Sequence, residues 1–156
     1  MSTDRLIQFL DTTDAEGNAL GPSVSNRREV ETFHAGGTIA AGDWVMFDAS
    51  KTGAARVAYV LQAPAVATKG NGAVIGCALE AAVADDLIKV VTAGYHAAAN
   101  VDGAVTAGDI LVGPITVAGR ADIEIVTGAT ATTGKCGIAL GADVANFAPV
   151  CVVKVF

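Results

Sequence analysis

Basic side chains are scarce in this sequence. Ten lysines and arginines face sixteen aspartates and glutamates, a formal net charge of −6 over 156 residues. A phosphate-backbone partner demands a basic patch able to displace counterions. The only basic cluster, Arg27-Arg28, runs at once into Glu29 and Glu31 and reads as a local ion-pair site. Nucleic acid is therefore not an expected partner. Long apolar runs are missing too: no stretch approaches the roughly 18 consecutive apolar residues of a membrane-crossing helix, and no membrane partner is expected. Met1-Ser2-Thr3-Asp4-Arg5 has none of the basic-then-apolar layout of a signal peptide. Cysteine is limited to Cys77, Cys136 and Cys151, each set in an apolar run. An odd count argues against a disulfide framework. Strand alternation puts Cys77 on one face with Ile75 and Leu79, and Cys136 on one face with Ile138 and Leu140. They read as small core hydrophobes in a reducing compartment.

Bulky filler is the next shortage. The chain is 52% hydrophobic but only 5% aromatic, and alanine supplies about a fifth of it. Small side chains bury little area each, at roughly 25 cal/mol per Å². A core made of them stabilises weakly for its length, so the chain gains by burying apolar surface against copies of itself or a larger assembly.

What the sequence does have is a phrase said twice. Gly37-Thr38-Ile39-Ala40-Ala41-Gly42-Asp43-Trp44-Val45 returns as Gly103-Ala104-Val105-Thr106-Ala107-Gly108-Asp109-Ile110-Leu111, 66 positions on (37 to 103). Ile75-Gly76-Cys77-Ala78-Leu79 returns as Cys136-Gly137-Ile138-Ala139-Leu140, 61 positions on (75 to 136). Each copy closes on a β-rich run ending in an aromatic, Val90 to Tyr95 and Val152 to Phe156. In the Ala-Gly-Asp element, the apolar residue points inward, the glycine takes a turn conformation costly for other residues, and the aspartate is expected to bond its own downstream backbone. The scaffold recurs and no catalytic side chain recurs with it.

Strand signals dominate from Glu29 onward. Val30-Glu31-Thr32-Phe33 competes with a helix, since Asn26 and Glu29 have capping-box spacing. The likeness of Phe33-His34-Ala35 to Tyr95-His96-Ala97, just after the apolar run Leu87 to Val91, decides for a strand. Hairpins are expected at Lys51-Thr52-Gly53 and Lys69-Gly70-Asn71-Gly72, and a loop with at most one helical turn at Glu80–Asp86. The pattern predicts an all-β sandwich or partly closed barrel. A single β domain is expected over residues 25–156, with sub-repeats at about 30–97 and 98–156. Residues 1–24 differ: polar breakers surround one apolar patch, Leu6, Ile7, Phe9 and Leu10, and read as an extended arm that folds back or docks on a neighbour.

Candidate chemistry is thin. Gly128 to Lys135 imitates a phosphate-binding loop but has five residues between its glycines, and Cys136 stands where a magnesium-binding hydroxyl is needed. His34 and His96 lack a ligand at metal spacing and are expected on the solvent side of strands whose other face carries the aromatic. Asp85-Asp86 invites a calcium reading, but the counterparts taken for them, Asn146-Phe147, do not. No nucleophile, histidine and acid follow a recognisable motif. No cofactor, no metal and no enzymatic activity are expected.

With these residues in view, the repeated Gly-x-[Ile/Val]-x-Ala-Gly-Asp-x-[Val/Leu] element, followed by Val74 to Ala82 and Lys89 to Gly94, resembles the capsid decoration (cement) proteins of tailed bacteriophages. Cys136 to Leu140 and Cys151 to Phe156 fit the same family, and Ser25 to Phe33 is similar to the entry segment of such head proteins. The likeness covers roughly residues 25–156. It implies a compact β-clip or tulip-like fold and a structural protein of the virion. Such a protein sits on the outer capsid surface, commonly as a homotrimer, and bridges subunits of the major capsid protein. The expected contacts are Leu6, Ile7, Phe9 and Leu10 on the arm and Arg27 and Arg28 at its root. The alternative is a head-fibre or tail component binding a host glycan. An enzymatic rival would need Asp43 and Asp109 to face a shared pocket.

Overall fold

Short runs of β-branched residues set between glycine and aspartate turns favour strands over helices, and strands are what form. The computed structural model describes residues 28–67, 70–124, 126–127, 130–131 and 134–153. Within them the expected all-β class holds. The strands are β1 (Arg28–Ala35), β2 (Trp44–Phe47), β3 (Tyr59–Gln62), β4 (Val74–Ala78), β5 (Leu87–Asn100), β6 (Ile110–Val112), β7 (Asp122–Ile123), β8 (Val126–Thr127), β9 (Thr130–Ala131), β10 (Lys135–Ala139) and β11 (Phe147–Val152). One helical turn, α1 (Ala55–Ala58), lies between β2 and β3, so the connection expected as a hairpin at Lys51–Gly53 is longer than a tight turn. Glu80–Asp86 is a loop, as expected.

Strands β1, β3, β2, β4 and β5 pair in that order, and β5 pairs back to β1, closing a five-stranded barrel. Strand β5 then runs on for 14 residues and pairs with β11, which continues through β10 and β6 to β7. A parallel bridge, Val101↔Ala121, ties the far end of β5 to the start of β7. It repeats the parallel β1–β3 pairing Ala35↔Val60, and it closes a second ring. The long strand β5 is shared by both rings.

The duplication holds bond by bond. Gly42 N donates to Ala78 O at 2.8 Å and Gly108 N to Ala139 O at 2.8 Å; Ala78 N reaches Asp43 O at 2.8 Å and Ala139 N reaches Asp109 O at 2.9 Å. Both turn glycines have positive φ, +85° and +95°, where a Cβ is costly. Val45↔Gly76 in β2–β4 matches Leu111↔Gly137 in β6–β10. Beyond it both pairs carry the same bulge, which leaves Ile75 in one copy and Cys136 in the other without a cross-strand partner.

That bulge corrects the expected placement of the cysteines. An extra residue in one strand rotates the residues beyond it, so period two fails across Ile75–Cys77 and Cys136–Ile138. Ile75 belongs to the core of the first ring, whereas Cys77 packs with the second. Cys136 is buried while Ile138 and Leu140 are 40% and 50% exposed. Cys151 is only half-buried.

The register also shifts three sequence matches. Ala35 N donates to Asp86 O and Val101 N to Asn146 O, so Phe33-His34-Ala35 matches Ala99-Asn100-Val101 and not Tyr95-His96-Ala97. The strand assigned to β1 stands, although the likeness that selects it lies four residues away. Asp85-Asp86 matches Ala145-Asn146, with positive φ at Asp85 (69°) and Ala145 (52°). Cys77↔Val91 and Ala78↔Val90 match Ile138↔Cys151 and Ala139↔Val150, so Val90-Val91 corresponds to Val150-Cys151. Chemical likeness of short β runs slides easily by two or four residues; hydrogen-bond pairing does not.

Candidate functional site

Of the expected contact residues, Leu6, Ile7, Phe9, Leu10 and Arg27 lie outside the described residues. Arg28 opens β1 opposite Gly94 and is half-buried.

A buried polar cluster forms where the rings meet. Asp43 is 3% exposed. Its Oδ2 accepts from the Ala40 amide at 2.9 Å and from Gln62 Nε2 at 2.8 Å, and its Oδ1 accepts from Asn100 Nδ2 at 2.7 Å. The carbonyl of Asn100 in turn accepts from Trp44 Nε1 at 2.9 Å. A buried carboxylate is tolerated when charge-assisted donors fill its oxygens, and here three do. The matching Asp109 is half-exposed and, among the described residues, accepts from the Thr106 amide at 2.7 Å and hydroxyl at 3.0 Å. Each aspartate closes its own turn; Asp43 additionally ties the rings together. The sequence pattern finds the turn role in both and misses the second role in Asp43, because Gln62 and Asn100 sit 19 and 57 positions away.

The two histidines differ from each other, and only His96 departs from the expected solvent-side placement. His96 is buried, 5% exposed, rather than on a solvent face. Its Nε2 faces the Ala78 carbonyl at 3.0 Å and its Nδ1 accepts from the Ala98 amide at 3.2 Å. A carbonyl only accepts, so this pair of partners selects the neutral ring with its proton on Nε2. Desolvation pushes its pKa below the usual imidazole range, Arg28 nearby adds to the shift, and the Ala78 bond opposes it. The unfolded chain then takes up this proton more readily than the folded one. Stability is full above the ordinary value of about 6.5 and falls as pH drops through the lowered one. Thermal melts from pH 7 downward should show this loss, and His96→Gln should flatten that part of the profile. His34 is half-buried and stacks on Tyr59 at 5.0 Å between ring centroids, with Lys51 Nζ 4.3 Å over the other ring.

The thiols of Cys77 and Cys136 are sequestered. Burial raises the thiol pKa of both Cys77 and Cys136, which keeps them from being nucleophiles or ligands. Among the described residues no three His, Cys, Asp or Glu side chains are grouped to hold a metal ion. A groove of about 310 Å³ beside β2 is lined by Met46, Phe47, Ala49, Gly72, Ala73, Val74 and Ile75. It offers no titratable group, and ligand sites generally need a few convergent polar ones.

Apolar surface is more informative. The outward face of the first ring carries Trp44, Cys77 and Val91, all 0% exposed because the second ring covers them. The matching residues of the second ring are Ile110 and Ile138, 37% and 40% exposed, and the half-buried Cys151; Val153 beside them is 42% exposed. The same face is closed in one repeat and open in the other.

No family model matches this chain, and no curated protein matches it. Among solved structures it is similar to the N base of the head fiber of bacteriophage phi29, at 14% identity and a TM-score of 0.49, covering 81% of this chain and 95% of that one.

Proposed function

We propose that this chain is a structural, non-enzymatic phage capsid decoration protein that binds the outer surface of the assembled head and bridges neighbouring subunits of the major capsid protein. The observation that carries the reading is the division between its interior and its surface. The buried groups that chemistry would use, Asp43, His96, Cys77 and Cys136, are held by scaffold bonds or desolvated. Apolar side chains meanwhile stand open on the second repeat. The resemblance of residues 25–156 to cement proteins supplies the partner class. Binding only the assembled lattice stabilises it by mass action, about 2.7 kcal/mol per site when free protein is a hundredfold above its Kd. Bridging several subunits through one oligomer adds a multivalent gain.

On this reading Leu6, Ile7, Phe9 and Leu10 anchor the arm on the capsid, with Arg27 and Arg28 as polar contacts at its root, and no cofactor takes part. Deleting residues 1–24 should weaken binding to capsids stripped of the protein by tenfold or more, read by co-sedimentation. Undiminished binding removes the arm from the mechanism. Failure of the full chain to bind any such capsid, together with a positive glycan array, would replace this reading with host-surface attachment.

A further inference from the structure

We infer that the open face of the second repeat is a self-assembly surface whose occupant is the first repeat of another copy of this chain. The contact is head to tail and copies the contact between the two repeats inside one chain. The inference does not depend on what the assembled protein binds.

Three observations converge. The first is the face itself. Within one chain Trp44, Cys77 and Val91 are sealed by the second repeat, while their matches Ile110 and Ile138 are exposed and Cys151 is half-buried. The turn glycines report the same difference. A Cβ on Gly42 would meet Ala98 O at 2.7 Å and the Phe147 ring at 3.3 Å, whereas a Cβ on Gly108 meets nothing within 4 Å.

The second is the complementary surface. Inside the chain, Gly42 and Trp44 are covered by Ala98, Asn100 and Phe147. By register, their matches in the first repeat are Thr32, His34 and Leu87. Thr32 is exposed, His34 is half-buried, and Leu87 is 64% exposed. Each chain therefore carries one unused copy of both halves of a contact it already makes once.

The third is β5. Its residues 87–92 match β11, and its residues 94–100, with Val101 just after it, match β1. The shared strand is a β11 run directly into a β1. In the second repeat β11 ends at Val152, and in the first β1 begins at Arg28, opposite Gly94. A second copy's β1 set beyond the end of β11 rebuilds across two chains what β5 builds within one. Heterologous contacts of this kind close into a ring or grow as a filament, according to the rotation between copies.

Mixing decides it. Native mass spectrometry and light scattering of the full chain should give a mass of several chains. Ile138→Glu spoils the open face, Leu87→Glu spoils its complement, and each alone should fall to the mass of one chain with an unchanged circular dichroism spectrum. Combined one to one, they should form a two-chain species and nothing larger, because each variant keeps the half the other lost. A single-chain mass for the parent protein overturns the inference and points to residues 1–27 closing the face in their own chain. So does either variant that keeps the parent mass, or a mixture of folded variants that stays single-chain. Should Ile138→Glu lose its β spectrum, Ile110→Glu takes its place with the same expected outcomes.

Discussion

Chemical denaturation of a Trp44→Ala variant should return about 3–5 kcal/mol less stability than the parent chain. Domains of this size are stable by only about 5–15 kcal/mol, so that loss is a large part of the whole. Trp44 is fully buried, and it is the only tryptophan in a chain whose buried core residues are mostly valine and alanine. It stands between the rings: the tip of its indole lies so close to Gly137 that a Cβ there would approach Cη2 at 3.1 Å. Removing the ring leaves a cavity at the junction, and strands on both sides are held by ladders that limit its collapse. The hydrogen bond is the smaller part. Without the indole N–H, the Asn100 carbonyl keeps the Ala121 amide at 3.0 Å, so no acceptor is orphaned. Trp44→Phe should accordingly cost about 1–2 kcal/mol, mostly unfilled volume. The chain contains its own control. Ile110 occupies the matching position, 37% exposed. On the Leu87→Glu background, where the chain is expected to stand alone, Ile110→Ala should cost well under about 1 kcal/mol.

Particular residues show what the sequence discloses and what it hides. The Ala-Gly-Asp turns are local devices decided within five residues: both copies have the expected glycine at positive φ, but each aspartate bonds the amide three positions back rather than the downstream backbone expected of it. The all-β class rests on the same short-range signals. The side of a strand on which Cys136 or Ile138 ends up depends on a bulge opposite Leu111 and Val112, across the sheet, and alternation alone points both the same way. The aromatic before His96 puts the histidine on a solvent face when only neighbours in sequence are considered. Its burial depends on Ala78, 18 positions away, and on β11 pairing alongside it. The repeat is legible as two phrases with offsets of 66 (37 to 103) and 61 (75 to 136). The shared strand is not, because β5 merges the end of one unit with the start of the next and leaves no boundary for composition to mark.

Asp43 gives the sharpest test of how the two repeats came to differ in role. Asp43→Ala leaves the Asn100 amide without its acceptor in a buried position, and the Gln62 amide and Ala40 N–H without theirs in part-buried ones. Unmet buried donors cost about 1–3 kcal/mol each, and bonds to a carboxylate stand at the upper end. Partial rescue by relaxation lowers the sum, and a total loss of about 3–5 kcal/mol is expected. Asp43→Asn should fall between the two. Its amide presents a donor where the carboxylate had an acceptor, but the Asn100 side chain can turn its oxygen toward it and recover one bond. The order of stability is thus parent, Asn, Ala, with steps large enough for urea denaturation to separate. At Asp109 the carboxylate serves one amide and one hydroxyl of Thr106 in a half-exposed turn. Water replaces it there, so Asp109→Ala should cost about 0.5–1 kcal/mol. Equal losses at the two aspartates would mean that Asp43 only closes its turn and that the rings are joined by apolar packing alone. A large loss confined to Asp43 would place the polar tie between repeats in the first copy of the turn, where Gln62 and Asn100 supply donors that Asp109 lacks.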